Sequence, residues 1–184
     1  MKQNKPAPFP TPRPLLALPE TLQAQGIALP AARMADLPLL ADIYAASRVA
    51  DVLFAPWTAQ QKRAFLDEQF ALQHAHFVGA HPRGDFRLVT HGGETIGRFY
   101  FDRSADQWSL VEILLAPSAQ GGGIGGALIA WLLTAAAEAS ASGARLSVAH
   151  NNSRAQALYR RLGFEDAGDV AGTHRAMVWR PIRP

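Results

Sequence analysis

Five glycines occupy the seven positions 120–126 of this 184-residue chain, in the run QGGGIGG. The apolar stretch WSLVEILLAP (108–117) precedes them and ALIAWLLTAAAEA (127–139) follows. Glycine weakens helix and strand interiors, so such a run belongs at a turn or where something must approach the backbone closely. If a helix opens here, its first N–H groups have no partners within the helix, and the helix dipole adds positive potential at the same point. An anion, a pyrophosphate above all, suits that place, and the missing Cβ atoms leave room for it. The plain alternative is a tight turn that binds nothing, for which one or two glycines suffice.

Two glycine-rich phosphate sites are a poor match. Gly121, Gly123 and Gly126 spell G-x-G-x-x-G, but the dinucleotide fingerprint also wants an acidic residue about 20 positions on, at the end of the next strand. That strand ends here in SVAHNN, without a carboxylate. A P-loop wants Gly-Lys-Ser/Thr at the helix start, where this chain has Gly126-Ala127-Leu128.

Other residues able to do chemistry are few. Glu112 is a lone carboxylate in WSLVEILLA. Burial there would make it a usable base or water-organiser, and a satisfied carboxylate at a sheet edge is the plain alternative. Tyr159 shares a helix face with Ala155, Leu158 and Leu162, which by spacing alone reads as a core tyrosine. Asn152 is placed to cap that helix. His150 stands at a strand end as a further base candidate. His74, His76 and His81 lie close in sequence without other ligands at a recognised spacing. They read as solvated helix-end residues, and no metal is expected.

The elements that must position these residues can be read from capping and periodicity. IALPAARM reads as a strand and DLPLLADIYAASR as a helix with Asp36 as cap and Pro38 in its first turn. TAQQKRAFLDEQFALQHAHF reads as a helix capped by Thr58, and GDFRLVTHGGETIGRFYFDR as a hairpin turning at HGGE. A buried strand leads to the glycines, and a helix runs from about 124 to 140. Gly143, as helix terminator, leads into the strand GARLSVAH. A short helix runs from Asn152 to Gly163, and THRAMVWRP is the last strand. The order is β-α-α-β-β-β-α-β-α-β. It implies an α/β chain (α+β by some schemes) with a mixed, mostly antiparallel central sheet and helices on both faces. Residues 26–184 make one domain. Residues 1–25 carry six of the 13 prolines in KPAPFPTPRPLLALP and are expected to form a flexible arm.

Composition narrows the function classes. Apolar residues at 48% and charged residues at 18% suit a globular domain, and no apolar run is long enough to cross a membrane. There is no cysteine, which fits the cytoplasm and excludes thiolate metal sites. A net charge of +3 suits an anionic ligand, but no dense Lys/Arg tract points to nucleic acid. A monomer or homodimer is expected.

Gln120-x-x-Gly123-x-Gly125, following a strand that ends at Pro117, resembles the acetyl-coenzyme A signature of the GCN5-related N-acetyltransferases (GNAT). VAHNNSRAQALYRRLGFE resembles that family's second motif in Asn152, Ala155, Leu158, Tyr159, Leu162, Gly163 and Phe164. The resemblance covers residues 27 to 180. It implies acetyl transfer from acetyl-coenzyme A to a primary amine, with a noncatalytic acyl-coenzyme A binding module of the same fold as the alternative. Backbone N–H groups of Gly121, Gly122, Gly123, Ile124, Gly125 and Gly126, with Gln120 at the rim, would hold the pyrophosphate. Many family members carry Arg at position 120. Ile113, Leu114 and Leu115 would line a slot for the pantetheine between splayed strands, with a backbone N–H near Leu114 or Leu115 facing the developing oxyanion. Tyr159 stands where the family's proton donor to the coenzyme sulfur stands, and Asn152 would also touch the coenzyme. The family's glutamate on the following strand is replaced here by Ser147, which leaves Glu112, His150 or a water as base. The acceptor wall falls on SRVADVLFAPWT (47–58), where Arg48 and Asp51 could grip a polar acceptor and Phe54 and Trp57 line it.

Overall fold

The computed structural model describes residues 6–182. The described chain begins with a short helix α1 (Glu20–Ala24), strand β1 (Ile27–Ala28) and helices α2 (Leu37–Ser47) and α3 (Ala59–Ala80). Three strands follow, β2 (Asp85–His91), β3 (Glu94–Asp102) and β4 (Gln107–Leu115), then α4 (Ile124–Glu138), β5 (Gly143–Ala149), α5 (Ser153–Arg161), β6 (Glu165–Val170) and β7 (His174–Trp179). The strands form one open sheet in the order β1-β2-β3-β4-β5-β7-β6. All neighbours are antiparallel except β4 and β5. The mixed, mostly antiparallel sheet expected from the sequence is therefore present.

Strand alternation sends side chains to two cores. Phe99 and Phe101 of β3 join Leu128, Ile129 and Leu132 of α4 and Tyr159 of α5 on one face. Tyr100 joins Leu40 of α2 and Leu66 and Phe70 of α3 on the other. Leu128, Ile129 and Leu132 are fully buried, each contributing roughly 1.5–3 kcal/mol. α3 starts with the expected Thr58 cap: Gln61 N donates to Thr58 Oγ1 at 3.2 Å, and Thr58 N donates back to Gln61 Oε1 at 2.8 Å. No helix among the described residues is long and apolar enough to cross a membrane.

Four details depart from the sequence reading. β1 is only two residues long because Pro30 interrupts it, and Ala31 regains a single bridge to Arg87. β6 is an additional strand, so the order ends α-β-β. Every residue of EDAGDV is exposed, which leaves no apolar alternation to read, and its pairing with β7 is supported by Arg175 on Asp166 at 2.5 Å. α4 ends at Glu138, and the reversal falls at Ser140 with φ 57 rather than at Gly143, which already belongs to β5.

The fourth departure is the Pro-rich segment. Its residues 1–5 lie outside the described residues, but 6–25 lie along the domain. Polyproline backbone makes no internal hydrogen bonds, so its carbonyls need outside donors. His74 meets Ala7 O at 2.7 Å, and Trp131 Nε1 donates to Ala17 O at 2.8 Å. Arg87 donates to Arg13 O and Arg103 to Pro14 O. Phe9 packs on Phe86 and Tyr100, while Leu15, Leu16 and Leu18 pack on the main core.

Candidate active site

β4 and β5 pair only at Gln107–Gly143, Trp108–Ala144 and Ser109–Arg145. Beyond Ser109 the two strands have no registered partners on each other, although β4 continues beside β3 to Leu115 and β5 beside β7 to Ala149. The sheet thus opens in the middle. Ala116 N donates to Ile96 O at 2.8 Å in the same register that sets Arg98 opposite Leu114 and Tyr100 opposite Glu112. Antiparallel pairs alternate, so Glu112 and Leu114 spend their backbone groups on β3, while Ile113 and Leu115 turn theirs to the opening. Of the slot residues suggested by sequence, Leu114 therefore faces away along its backbone. Leu115 O accepts from Gln120 Nε2 at 2.9 Å, which ties the glycine turn to the strand end.

A bulge in β4 sharpens this geometry. Tyr100 pairs with Glu112 but Phe101 with Leu110, so Val111 is the extra residue. Trp108 and Leu110 before it, and Ile113 and Leu115 after it, all face the α4 side. The one-residue insertion keeps the apolar residues on the same face before and after the bulge.

The glycine turn leads into α4 as expected. Gly121 and Gly123 have φ of 89° and 83°, which side-chain-bearing residues rarely adopt. Gly123 is the N-cap and offers no side chain, so the first N–H groups of α4 lack a capping partner. A Cβ built on Gly122 or Gly123 meets nothing within 4 Å, and one on Gly125 makes only ordinary contact with Ile113 and Leu115. Most of these glycines are thus not required by packing of the chain on itself. Arg154, at the start of α5, lies beside Gly121, its guanidinium 3.8 Å from where a Cβ on Gly121 would sit. It is a cation at the turn that the sequence reading missed, because it lies on a different element and carries no spacing signal.

α5 brings the second motif to the opening. Asn152 Oδ1 accepts from Ala155 N at 3.1 Å, the expected cap. Gln156, also missed, is buried and donates to Ala149 O and His150 O, both at 3.0 Å, fastening α5 to the end of β5. Tyr159 is 9% exposed and stacks edge-on against Phe164 at 5.8 Å. Burial, with a smaller contribution from the Glu112 carboxylate, pushes its phenol up to about 12.

Glu112 lies on the α2/α3 side of the sheet with an unforeseen partner. Arg98, 1% exposed, reaches Glu112 Oε2 at 3.3 Å and Gln73 Oε1 at 2.5 Å. Its guanidinium stands 5.4 Å from the rings of Phe70 and Tyr100 and 5.8 Å from Tyr44. Tyr100 is buried, its hydroxyl unpartnered among the described residues, and burial pushes it up to about 12.

The acceptor candidates divide. Arg48 pairs with Asp51 at 3.2 Å and lies 5.8 Å from the Tyr44 ring, so one ring separates it from Arg98. Trp57 packs on Phe65 at 5.2 Å without a described contact to that cluster, and Phe54 is 93% exposed. His150 pairs with Asp169 of β6 at 3.3 Å. The histidines read as solvated need correcting. His74 is buried between Phe9 and Phe70, His81 pairs with Asp102 at 3.0 Å, and only His76 is exposed.

Comparison with known proteins agrees with this geometry. Residues 82–166 match the family described as acetyltransferase (GNAT) domain. No curated protein matches the sequence. Among solved structures, PaiA N-acetyltransferase of Thermoplasma acidophilum in complex with coenzyme A is similar, with a TM-score of 0.64 at 17% identity over 84% of this chain and 99% of that one. An acetyltransferase of Thermus thermophilus gives 0.63 at 19%, over 84% and 97%. RimJ of Mycobacterium smegmatis in complex with a coenzyme A disulfide gives 0.59 at 18%, over 84% and 81%. Residues 82–166 thus resemble a GNAT acetyltransferase domain, and the fold of the chain is that of these acetyltransferase structures.

Proposed function

We propose that the protein is an N-acetyltransferase that moves an acetyl group directly from acetyl-coenzyme A to a primary amine. The observation that carries this reading is the opening between β4 and β5, which ends at an uncapped, glycine-lined helix start. The residues present fit the coenzyme. Backbone N–H groups of residues 121–126 and the Arg154 guanidinium suit a pyrophosphate, and Arg154 supplies charge that Gln120 does not. The outward-turned backbone of Ile113 and Leu115 suits the pantetheine amides, which pair as an added strand would. Asn152 keeps its amide NH2 for the coenzyme, because only its oxygen is used as cap.

Bound acetyl-coenzyme A supplies the thioester carbonyl that the amine attacks. The N–H of Ile113 or Leu115 points into the opening and stabilises negative charge growing on the carbonyl oxygen. Leu114 cannot do so, because its N–H faces β3. The attacking amine must be neutral, and its proton leaves toward Glu112 directly or through a water. When the C–S bond breaks, Tyr159 donates to the sulfur. A phenol near 12 facing a thiolate near 8.5 makes full transfer uphill by roughly 5 kcal/mol. Tyr159 thus acts mainly by hydrogen-bonding the developing thiolate, with the proton completing its transfer from solvent. Arg48 and Asp51 form the polar part of the acceptor wall. An assay of acetyl-coenzyme A with a panel of amines, following thiol release, tests the reading. Coenzyme binding without thiol release from any amine would leave a noncatalytic binding module.

A further inference from the structure

A second cluster of positive charge lies far from the glycine turn. Arg13 of the N-terminal segment, Arg83 of the α3–β2 loop and Arg103 of the β3–β4 turn converge on one cleft of about 430 Å³, with Thr11, Pro82 and Ser104 completing its wall. Strand register fixes its place. The glycine turn follows Leu115, which pairs with Gly97, whereas the cleft follows Asp102, which pairs with Ser109. Five residues of β3 separate the two levels, about 17 Å at the usual strand rise.

The charges around this cleft do not balance. Asp85, fully buried, is shared by Arg103 at 2.9 Å and Arg87 at 3.1 Å. Asp102, the nearest other carboxylate in sequence, is taken by His81 and by Ser104 N. Arg13 and Arg83 make no ion pair among the described residues. Arg83 spends one guanidinium nitrogen on Ser104 O at 3.1 Å, which holds it at the rim with its other donors available. The guanidinium groups of Arg13 and Arg83, beside an Arg103 already held by Asp85 and Pro14 O, form with the hydroxyls of Thr11 and Ser104 a wall dominated by donors. Such a wall matches an oxyanion with several acceptor oxygens and repels cations.

We propose that this cleft binds a small dianion of the phosphate-monoester class. Its volume accommodates a phosphate and a small organic group. Because Thr11 and Arg13 come from the N-terminal segment, the ligand also bridges that segment to the domain. This proposal is independent of the acetyltransferase reading.

The test is calorimetric titration of the full chain with inorganic phosphate at ionic strength fixed with sodium chloride. It is repeated with dephospho-coenzyme A at saturation, which fills the glycine turn and carries no phosphate monoester. Phosphate is expected to bind in both conditions, and glycerol 3-phosphate at least as tightly. Arg13→Ala with Arg83→Ala is expected to weaken phosphate binding by about tenfold or more, as removal of two charged hydrogen-bond donors predicts. Arg83→Gln alone leaves the N-terminal segment untouched, and is expected to weaken it about threefold or more by the same reasoning. The proposal is overturned if phosphate gives no heat beyond chloride, or if Arg83→Gln binds as the unaltered chain does. It is also overturned if a single-stranded oligonucleotide binds more tightly than the monophosphates.

Discussion

Arg98 and Glu112 form an ion pair at 3.3 Å across two neighbouring strands, with the arginine almost wholly out of water and the carboxylate 18% exposed. Strand register explains the pairing. Arg98 stands opposite Leu114, so Glu112 is its diagonal neighbour on the same face. Aromatic rings of Tyr44, Phe70 and Tyr100 surround the guanidinium, so the pair is packed on the arginine side and partly exposed on the carboxylate side.

Glu112→Gln therefore has two separable effects. It leaves Arg98 with Gln73 and a neutral amide, and stability should fall by about 1.5–3 kcal/mol, the usual worth of a hydrogen bond to a charged group. If Glu112 also receives the amine proton, turnover at neutral pH should fall by about 10²-fold or more. Melting and steady-state rate on one preparation check both. A melting shift with unchanged turnover would confine Glu112 to holding Arg98.

Tyr159→Phe removes one oxygen and keeps the ring against Phe164, so coenzyme affinity should stay within about threefold. Loss of a hydrogen bond to the developing thiolate, about 1.5–3 kcal/mol, should lower turnover by about 10- to 150-fold. Because the phenol sits near 12, its deprotonation should produce no limb in the rate profile below about pH 11. Near-normal turnover with chemistry limiting the rate would leave Tyr159 as a core residue.

Gly125 and Gly123 separate ligand space from backbone need. A side chain at Gly125 makes only ordinary contacts within the chain, so Gly125→Val should fold with little loss and lose coenzyme affinity by about tenfold or more. Gly123 has φ 83°, and a β-branched residue there strains the turn itself. Gly123→Val should therefore lose stability as well as affinity. Thermal melting with and without coenzyme A distinguishes the two. Normal binding by Gly125→Val would mean that the glycines serve the turn alone.

Much of this arrangement is legible in the sequence, and the misses have physical causes. Gln120–Gly126 and Asn152–Phe164 are readable because backbone demands restrict residue types: positive φ selects glycine, and an uncapped N–H selects Asn. Arg98, Gln156 and Arg154 are not, because each gains its meaning from a partner distant in sequence or across a strand. β6 escapes notice because an exposed edge strand has no buried face to impose alternation. Local propensity makes the Pro-rich segment read as flexible, whereas donors from distant elements secure it.

That segment gives a direct stability prediction. Deleting residues 1–18 removes Phe9, Leu15, Leu16 and Leu18 from the cores and the carbonyls that His74, Arg87, Arg103 and Trp131 meet. Partial burial of four large side chains is worth about 3–6 kcal/mol. The shortened chain should melt roughly 6–24 °C lower, given about 2–4 °C per kcal/mol for a domain of this size. An unchanged melting temperature would show that these contacts contribute nothing in solution.

His74 makes part of that stability depend on pH. Burial holds its imidazole below the usual 6.5, with the nearby Arg98 adding in the same direction and the Ala7 carbonyl opposing. Below pH 6.5 the unfolded chain takes up a proton that the folded chain declines. The unfolded state then binds more protons, so stability falls as pH drops, by at most about 1.4 kcal/mol per pH unit for this one group. The loss stops once the pH is below the lowered folded value. Above 6.5 both states are neutral and His74 adds no slope. The unaltered chain should therefore melt lower at pH 5.0 than at pH 7.5. His74→Gln keeps a donor for Ala7 O but cannot titrate, so its melting temperature should change less over the same interval. Equal slopes for the two proteins would mean that His74 gains a proton in the folded state as readily as in the unfolded one.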